Sequence, residues 1–127
     1  MDMQTDRHRI YAHLLQCFRA SGQDNHEERW QWLAAAHIVG QFDFRLHLHS
    51  HAAMLGFALA SGDWREASGQ LLRLALVPIG HLTRRLPAGN TGRATVSAFR
   101  PMPLEAAMRQ RIAAARHFVR VAGNHAR

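Results

Sequence analysis

The chain reads as an all-α protein of about five helices: two stacked antiparallel helical hairpins, then a long Gly/Pro loop, then a C-terminal amphipathic helix. Three observations predict this. Apolar residues recur at three- and four-residue spacing along most of the chain, as in Ile10, Leu14 and Phe18. Ala20-Ser21-Gly22 returns as Ala60-Ser61-Gly62, and the stretches that follow end at Gly40 and Gly80, so both marks share a period of 40 residues. Turn residues concentrate between Pro87 and Pro103.

The first helix is expected from about Thr5 to Ala20, stopped by Gly22. The second runs from Asn25 to Val39, with Asn25 able to cap the first amides, Glu27 and Glu28 at the positive end of the dipole, and Gly40 closing it. The third covers Phe42 to Ala60. The fourth opens at Asp63 in a capping-box pattern with Glu66 and reaches Leu76, where Pro78 should interrupt it by removing a donor and crowding the preceding turn. A short continuation through Leu82 then ends before Pro87. Pro87-Ala88-Gly89-Asn90-Thr91-Gly92 is turn chemistry, and Val96, Ala98 and Phe99 can pack the loop onto the helices. The last helix carries Leu104, Met108, Ile112, Ala115 and Val119 on one face and Arg109, Arg116 and Arg120 on another, a stripe expected to dock on its own domain rather than on a membrane. A single domain over 1–127 follows, with hairpins at 5–40 and 42–86, the loop at 87–103 and the C-terminal helix at 104–122. The second hairpin is similar in general pattern to a tetratricopeptide (TPR) unit, through Met54-Leu55-Gly56-Phe57-Ala58, Ser61-Gly62-Asp63, Glu66-Ala67 and Leu71-Leu72.

Composition narrows the function classes. The net charge is +7, and all 16 basic residues are arginine. They attract anions in general but are not interleaved with aromatics as a stacking surface requires, which argues against nucleic acid as the partner. One cysteine, Cys17, excludes an internal disulfide and a cysteine-rich zinc site, and its helical position between Gln16 and Phe18 reads as packing rather than as a nucleophile. The N-terminus has no apolar core of a leader, no stretch has the length to span a bilayer, and the expected location is the cytoplasm.

The sharpest chemical hint is Arg45-Leu46-His47-Leu48-His49-Ser50-His51. On a helix His47 and His51 lie about 40° apart while His49 points away. An H-x-x-x-H pair can reach one metal ion. His47, His51, Met54 and Ala58 form one stripe beside Leu48, Ala52, Leu55 and Leu59, which puts the pair at the edge of the buried face. His37 shares a stripe with Trp30 and Leu33, and in an antiparallel hairpin the end of one helix faces the beginning of the next. His37, His47 and His51 are therefore expected to converge, with Glu66, one turn before Gln70, as the carboxylate to join or orient them. Such a set suits zinc, copper, nickel or iron. Haem is a weaker candidate, because no C-x-x-C-H attachment motif is present. Gly89-Asn90-Thr91-Gly92 is turn-like but lacks phosphate-loop spacing, and the chain has no lysine.

The segments Ala36-His37-Ile38-Val39-Gly40-Gln41, His47, His51-Ala52-Ala53-Met54-Leu55, Glu66, Gly69-Gln70-Leu71-Leu72-Arg73, Gly89-Asn90-Thr91-Gly92 and Val96 through Pro103 together resemble the small bacterial domain-of-unknown-function 3703 family. The likeness covers about Trp30 to Leu104. It implies a short, stand-alone helical protein, places His37, His47, His51, Glu66 and Gln70 on family motif positions, and supplies no activity. The arginine-bearing C-terminal helix extends beyond it. Two readings stand: a metal-binding helical protein acting as sensor, carrier or small enzyme, and a non-catalytic helical-hairpin scaffold whose grooves bind a protein partner; with either, a homo-oligomer is open.

Overall fold

The computed structural model describes residues 3–22, 25–84, 86, 90–94 and 101–127. Five helices follow in order: α1 Met3–Ala20, α2 His26–Gly40, α3 Phe44–Ala60, α4 Trp64–Thr83 and α5 Ala106–His125. No strand occurs among the described residues. The short connections make α1/α2 and α3/α4 hairpins, α2 also packs on α3, and α5 lies against α1 and α2. Phe57, near the end of α3, meets Trp30 of the first turns of α2 with ring centroids 4.9 Å apart. That contact fixes the antiparallel sense of the central pair, so the end of α2 faces the start of α3. Trp30, Leu33, Leu14 and Met54 are fully buried at the centre.

Short polar side chains set the helix starts. The Asn25 side chain accepts from the Glu28 amide at 3.2 Å and the Asp63 side chain from the Glu66 amide at 3.0 Å, as the sequence predicts. A third cap was not anticipated: Asp43 accepts from the Leu46 amide at 3.1 Å, so α3 begins at Phe44 rather than Phe42. Each such cap contributes about 1 kcal/mol. The predicted capping box is only half formed. Gly62 turns left-handed (φ 70°), and the Asp63 amide donates back to Ala58 O at 2.9 Å in a Schellman closure of α3. With that amide already paired, the Glu66 carboxylate turns inward.

The expected break at Pro78 does not occur. The fourth helix passes through it to Thr83 and closes at Arg84, which is left-handed (φ 58°) and donates to Gly80 O. Proline removes one ladder bond, yet buried Val77 on one side and His81, tied to α3, on the other hold the last turns in place. Gly80 is therefore interior to the helix, and the sequence period marks its end only loosely. Gly40 matters for closeness: a Cβ there would stand 2.8 Å from that of Leu46 and 3.2 Å from the Tyr11 ring.

The last helix starts and ends slightly later than expected, at Ala106–His125. Met108, Ile112 and Ala115 are buried, Phe118 stacks on His13 of α1 at 4.0 Å, and the Arg111 guanidinium lies 4.8 Å over the Trp32 ring of α2. Its apolar stripe docks on its own chain, as expected. Val96, Ala98 and Phe99, expected to pack the loop, lie outside the described residues, as do Pro87 and Gly89. No described helix is long and apolar enough to cross a membrane.

Candidate metal centre

The end of α2 and the start of α3 bring His37, His47 and His51 together. Their ring centroids form a near-regular triangle, 4.7 Å for His37–His51 and 5.0 Å for the other two sides. One nitrogen from each ring lies within 4.8 Å of the others. All three residues are buried. The histidine stripe of α3 does not run along the edge of the buried face as expected. Leu46, Ser50 and Phe57 are buried on its other flank, whereas Ala52 and Leu59 are exposed, because α3 is sandwiched between α2 and α4 and its 52/59 side looks outward. His49 is exposed, with its Nδ1 2.6 Å from the Tyr11 hydroxyl, and takes no part.

Hydrogen bonds set the tautomers. His37 Nδ1–H donates to the Asn90 carbonyl at 2.8 Å, which leaves Nε2 as a lone pair. Gln70 Nε2 donates to Glu66 Oε1 at 3.0 Å and to the Gly92 carbonyl at 2.9 Å, so its Oε1 faces His51 and accepts from Nδ1–H at 2.7 Å. His51 therefore also presents its Nε2 lone pair. His47 lies between two rings, its Nδ1 3.0 Å from His81 Nε2 and its own Nε2 3.2 Å from His51 Nε2. When His47 donates from Nδ1 to His81, two lone pairs face each other across 3.2 Å, an arrangement that a shared cation relieves. When the proton moves to Nε2, His47 donates to His51 instead.

A short strap covers the cluster. Asn90 is buried, its side chain accepts from the Gly92 amide at 2.9 Å, and the resulting turn aims the Asn90 and Gly92 carbonyls at His37 and Gln70. Gly92 is left-handed (φ 79°), and a Cβ there would come within 2.7 Å of the His37 ring. The Ala94 amide donates to Glu66 Oε1 at 2.8 Å, over Gly69, whose missing side chain makes room for Ala94.

The electrostatics keep the imidazoles neutral. Burial, reinforced by His51 and His47, holds His37 well below the ordinary histidine value. Burial, with His51 and His81 beside it, lowers His47 to about 3. His51 is lowered to about 4 by burial, with the bond to Gln70 pulling back and Arg73 adding to the depression. Arg73 is itself a buried cation, lowered by burial and partly restored by Glu66. Three neutral imidazoles, with His47 protonated at Nδ1, turn their lone pairs inward and make a nitrogen donor set of the kind borderline divalent metals take.

A family model described as "Protein of unknown function (DUF3703)" matches residues 5–112. The chain belongs to this family. The DUF3703 match is wider than the Trp30–Leu104 likeness read from the sequence; it takes in the three histidines, Gln70, His81 and the strap, and it stops midway along α5. No curated protein and no solved structure matches the chain.

Glu66, expected to join or orient the cluster, stands behind Gln70 and acts on His51 through it; the three-residue group with converging nitrogens is His37, His47 and His51. His81 and Asn90 were missed as partners. His81 had a signal, since Glu66, Gln70, Val77 and His81 lie on one stripe of α4, but the predicted break at Pro78 hid it. Asn90 sits within the Gly89-Asn90-Thr91-Gly92 stretch, yet its action is through a main-chain carbonyl, which residue type does not report. Cys17 lies 3.5 Å from His13 Nε2 with its thiol raised by burial, which fits packing.

Proposed function

We propose that this DUF3703 protein binds one transition-metal ion through Nε2 of His37, His47 and His51. The observation that carries the reading is the convergence of three ring nitrogens within 4.8 Å of one another, while Asn90, His81 and Gln70 each engage the other nitrogen of one ring. Metal-bound histidines are oriented in this way, with the second nitrogen anchored to an acceptor. Two nitrogens on a tetrahedral zinc ion at about 2.0–2.1 Å are about 3.3 Å apart; the separation of His47 and His51 Nε2 is 3.2 Å. An all-nitrogen set favours zinc, copper, nickel or iron over calcium and magnesium, which take oxygen. Glu66 serves by orienting Gln70, and it offsets the charge of Arg73. Three protein ligands leave a fourth position for water or a small ligand, as in a sensor, carrier or small enzyme. We read residues 1–127 as one domain, and a single cysteine suits a reducing cytoplasm.

The competing reading is a TPR-like scaffold in which the histidines are hydrogen-bonded core. Elemental analysis of untagged protein separates the two, since a His-tag confounds the count. Near one equivalent of metal, lost in His51→Ala with the helical spectrum retained, is the expected result. Protein that carries no metal, takes up none of zinc, copper, nickel or iron on titration, and loses stability in His51→Ala regardless of metal overturns it.

A further inference from the structure

The amphipathicity of α4 is inverted with respect to its own chain. Its inward face carries Glu66, Gln70, Arg73 and His81 beside the small apolar Ala67 and Val77, while Trp64, Leu71, Leu72, Ile79 and Leu82 are between 54% and 86% exposed on the outside. Among the helices α4 packs mainly on α3, and among the described residues no other helix lies on its outer face. Helices turn apolar stripes away from solvent, and an outward stripe on an edge helix marks a surface covered by something else.

We infer that this face pairs with a second copy of the same chain, α4 against α4 in antiparallel sense about a two-fold axis near Arg73 and Leu74. The charge pattern favours an identical partner. Arg65 near the start and Arg84 at the cap are the exposed charged residues of α4 and its ends, so the middle of the face carries no charge for an acidic or basic partner to read. The sequence is also self-complementary in that register. Leu72 falls opposite the partner's Ala75, Ile79 opposite the partner's Ser68 and Trp64 opposite the partner's Thr83, large against small each time, and Leu82 lies along the stem of the partner's Arg65. The five exposed fractions amount to about three whole large side chains, on the order of 600 Å² per copy and 1,200 Å² per pair, which reaches the lower bound of a stable specific interface.

The pairing does not depend on metal, so its test is read without it. Sedimentation equilibrium of untagged protein at micromolar concentration should give a dimer. Ile79→Glu, at an exposed site, should leave the helical spectrum unchanged and yield a monomer. Adding Ser68→Arg should restore the dimer, because those two positions meet only across the axis; along one helix they are 11 residues, about 16 Å, apart. A wild-type monomer overturns the inference and leaves the face to a different protein. A dimer that survives Ile79→Glu, or one that the double variant fails to restore, overturns it as well.

Discussion

Acid should unfold this protein through its histidines, well above the pH at which carboxylates protonate. Released from the fold, His37, His47 and His51 take protons near pH 6.5, whereas in the fold His47 does so at about 3, His51 at about 4, and His37 far below its ordinary value. Between those limits the unfolded chain binds more protons than the native one, so stability rises with pH. The contribution is complete above about pH 7 and drains away as pH falls through 6.5 toward 4. Each histidine removes up to about 1.4 kcal/mol per pH unit, hence about 2 kcal/mol between pH 7.5 and pH 5, and the three together about 6 kcal/mol. That is comparable with the whole stability of a typical domain, about 5–15 kcal/mol. Chelator-treated protein, followed by far-ultraviolet circular dichroism and urea titration at each pH, should lose its urea midpoint steeply below pH 6.5. Replacing any one of the three by glutamine should reduce the slope by about a third, and stoichiometric zinc should move the acid transition downward, since the ion requires the neutral rings. Stability that is flat from pH 7.5 to pH 5 would refute the reasoning.

Three further outcomes follow from the geometry. Gly92→Ala places a methyl group against the His37 ring at a left-handed φ and should cost about 2–3 kcal/mol, seen as a lowered Tm. Gln70→Leu keeps the volume but frees His51 Nδ1 and leaves Glu66 a partner short; metal affinity, measured by competition with a chromophoric chelator, should fall about 10- to 100-fold. Asp63→Ala removes the cap of α4 and should cost about 1 kcal/mol in urea denaturation without altering metal content.

The five helices were legible because their periodicity and two of their caps are local, as with Ile10 and Leu14 on α1 or Asn25 and Asp63 before their amides. The convergence of His37 with His47 and His51 followed from the same logic, since a hairpin needs only its loop length and stripe to bring helix ends together. Errors arose where tertiary contacts decide. Pro78 reads as a stop to any local rule, but Val77 and His81 are held from outside the helix. The half-formed capping box has the same origin, for Glu66 found the Gln70 amide and the strap a better use of its carboxylate than the Asp63 amide. The buried Asn90 was out of reach for a different reason: a loop crosses 53 residues of sequence to meet His37, and no periodicity records such a return.

The strap over the histidines sets a rate as well as a geometry. Among the described residues it is tied to the helices beneath by three hydrogen bonds, from His37 to the Asn90 carbonyl, from Gln70 to the Gly92 carbonyl and from the Ala94 amide to Glu66. A route to the buried ring nitrogens of His37 and His51 past Asn90 and Gly92 opens only when those ties break. Exchange by that route follows how often the strap lifts, so two variants of equal affinity should differ in residence time if one loosens a single tie.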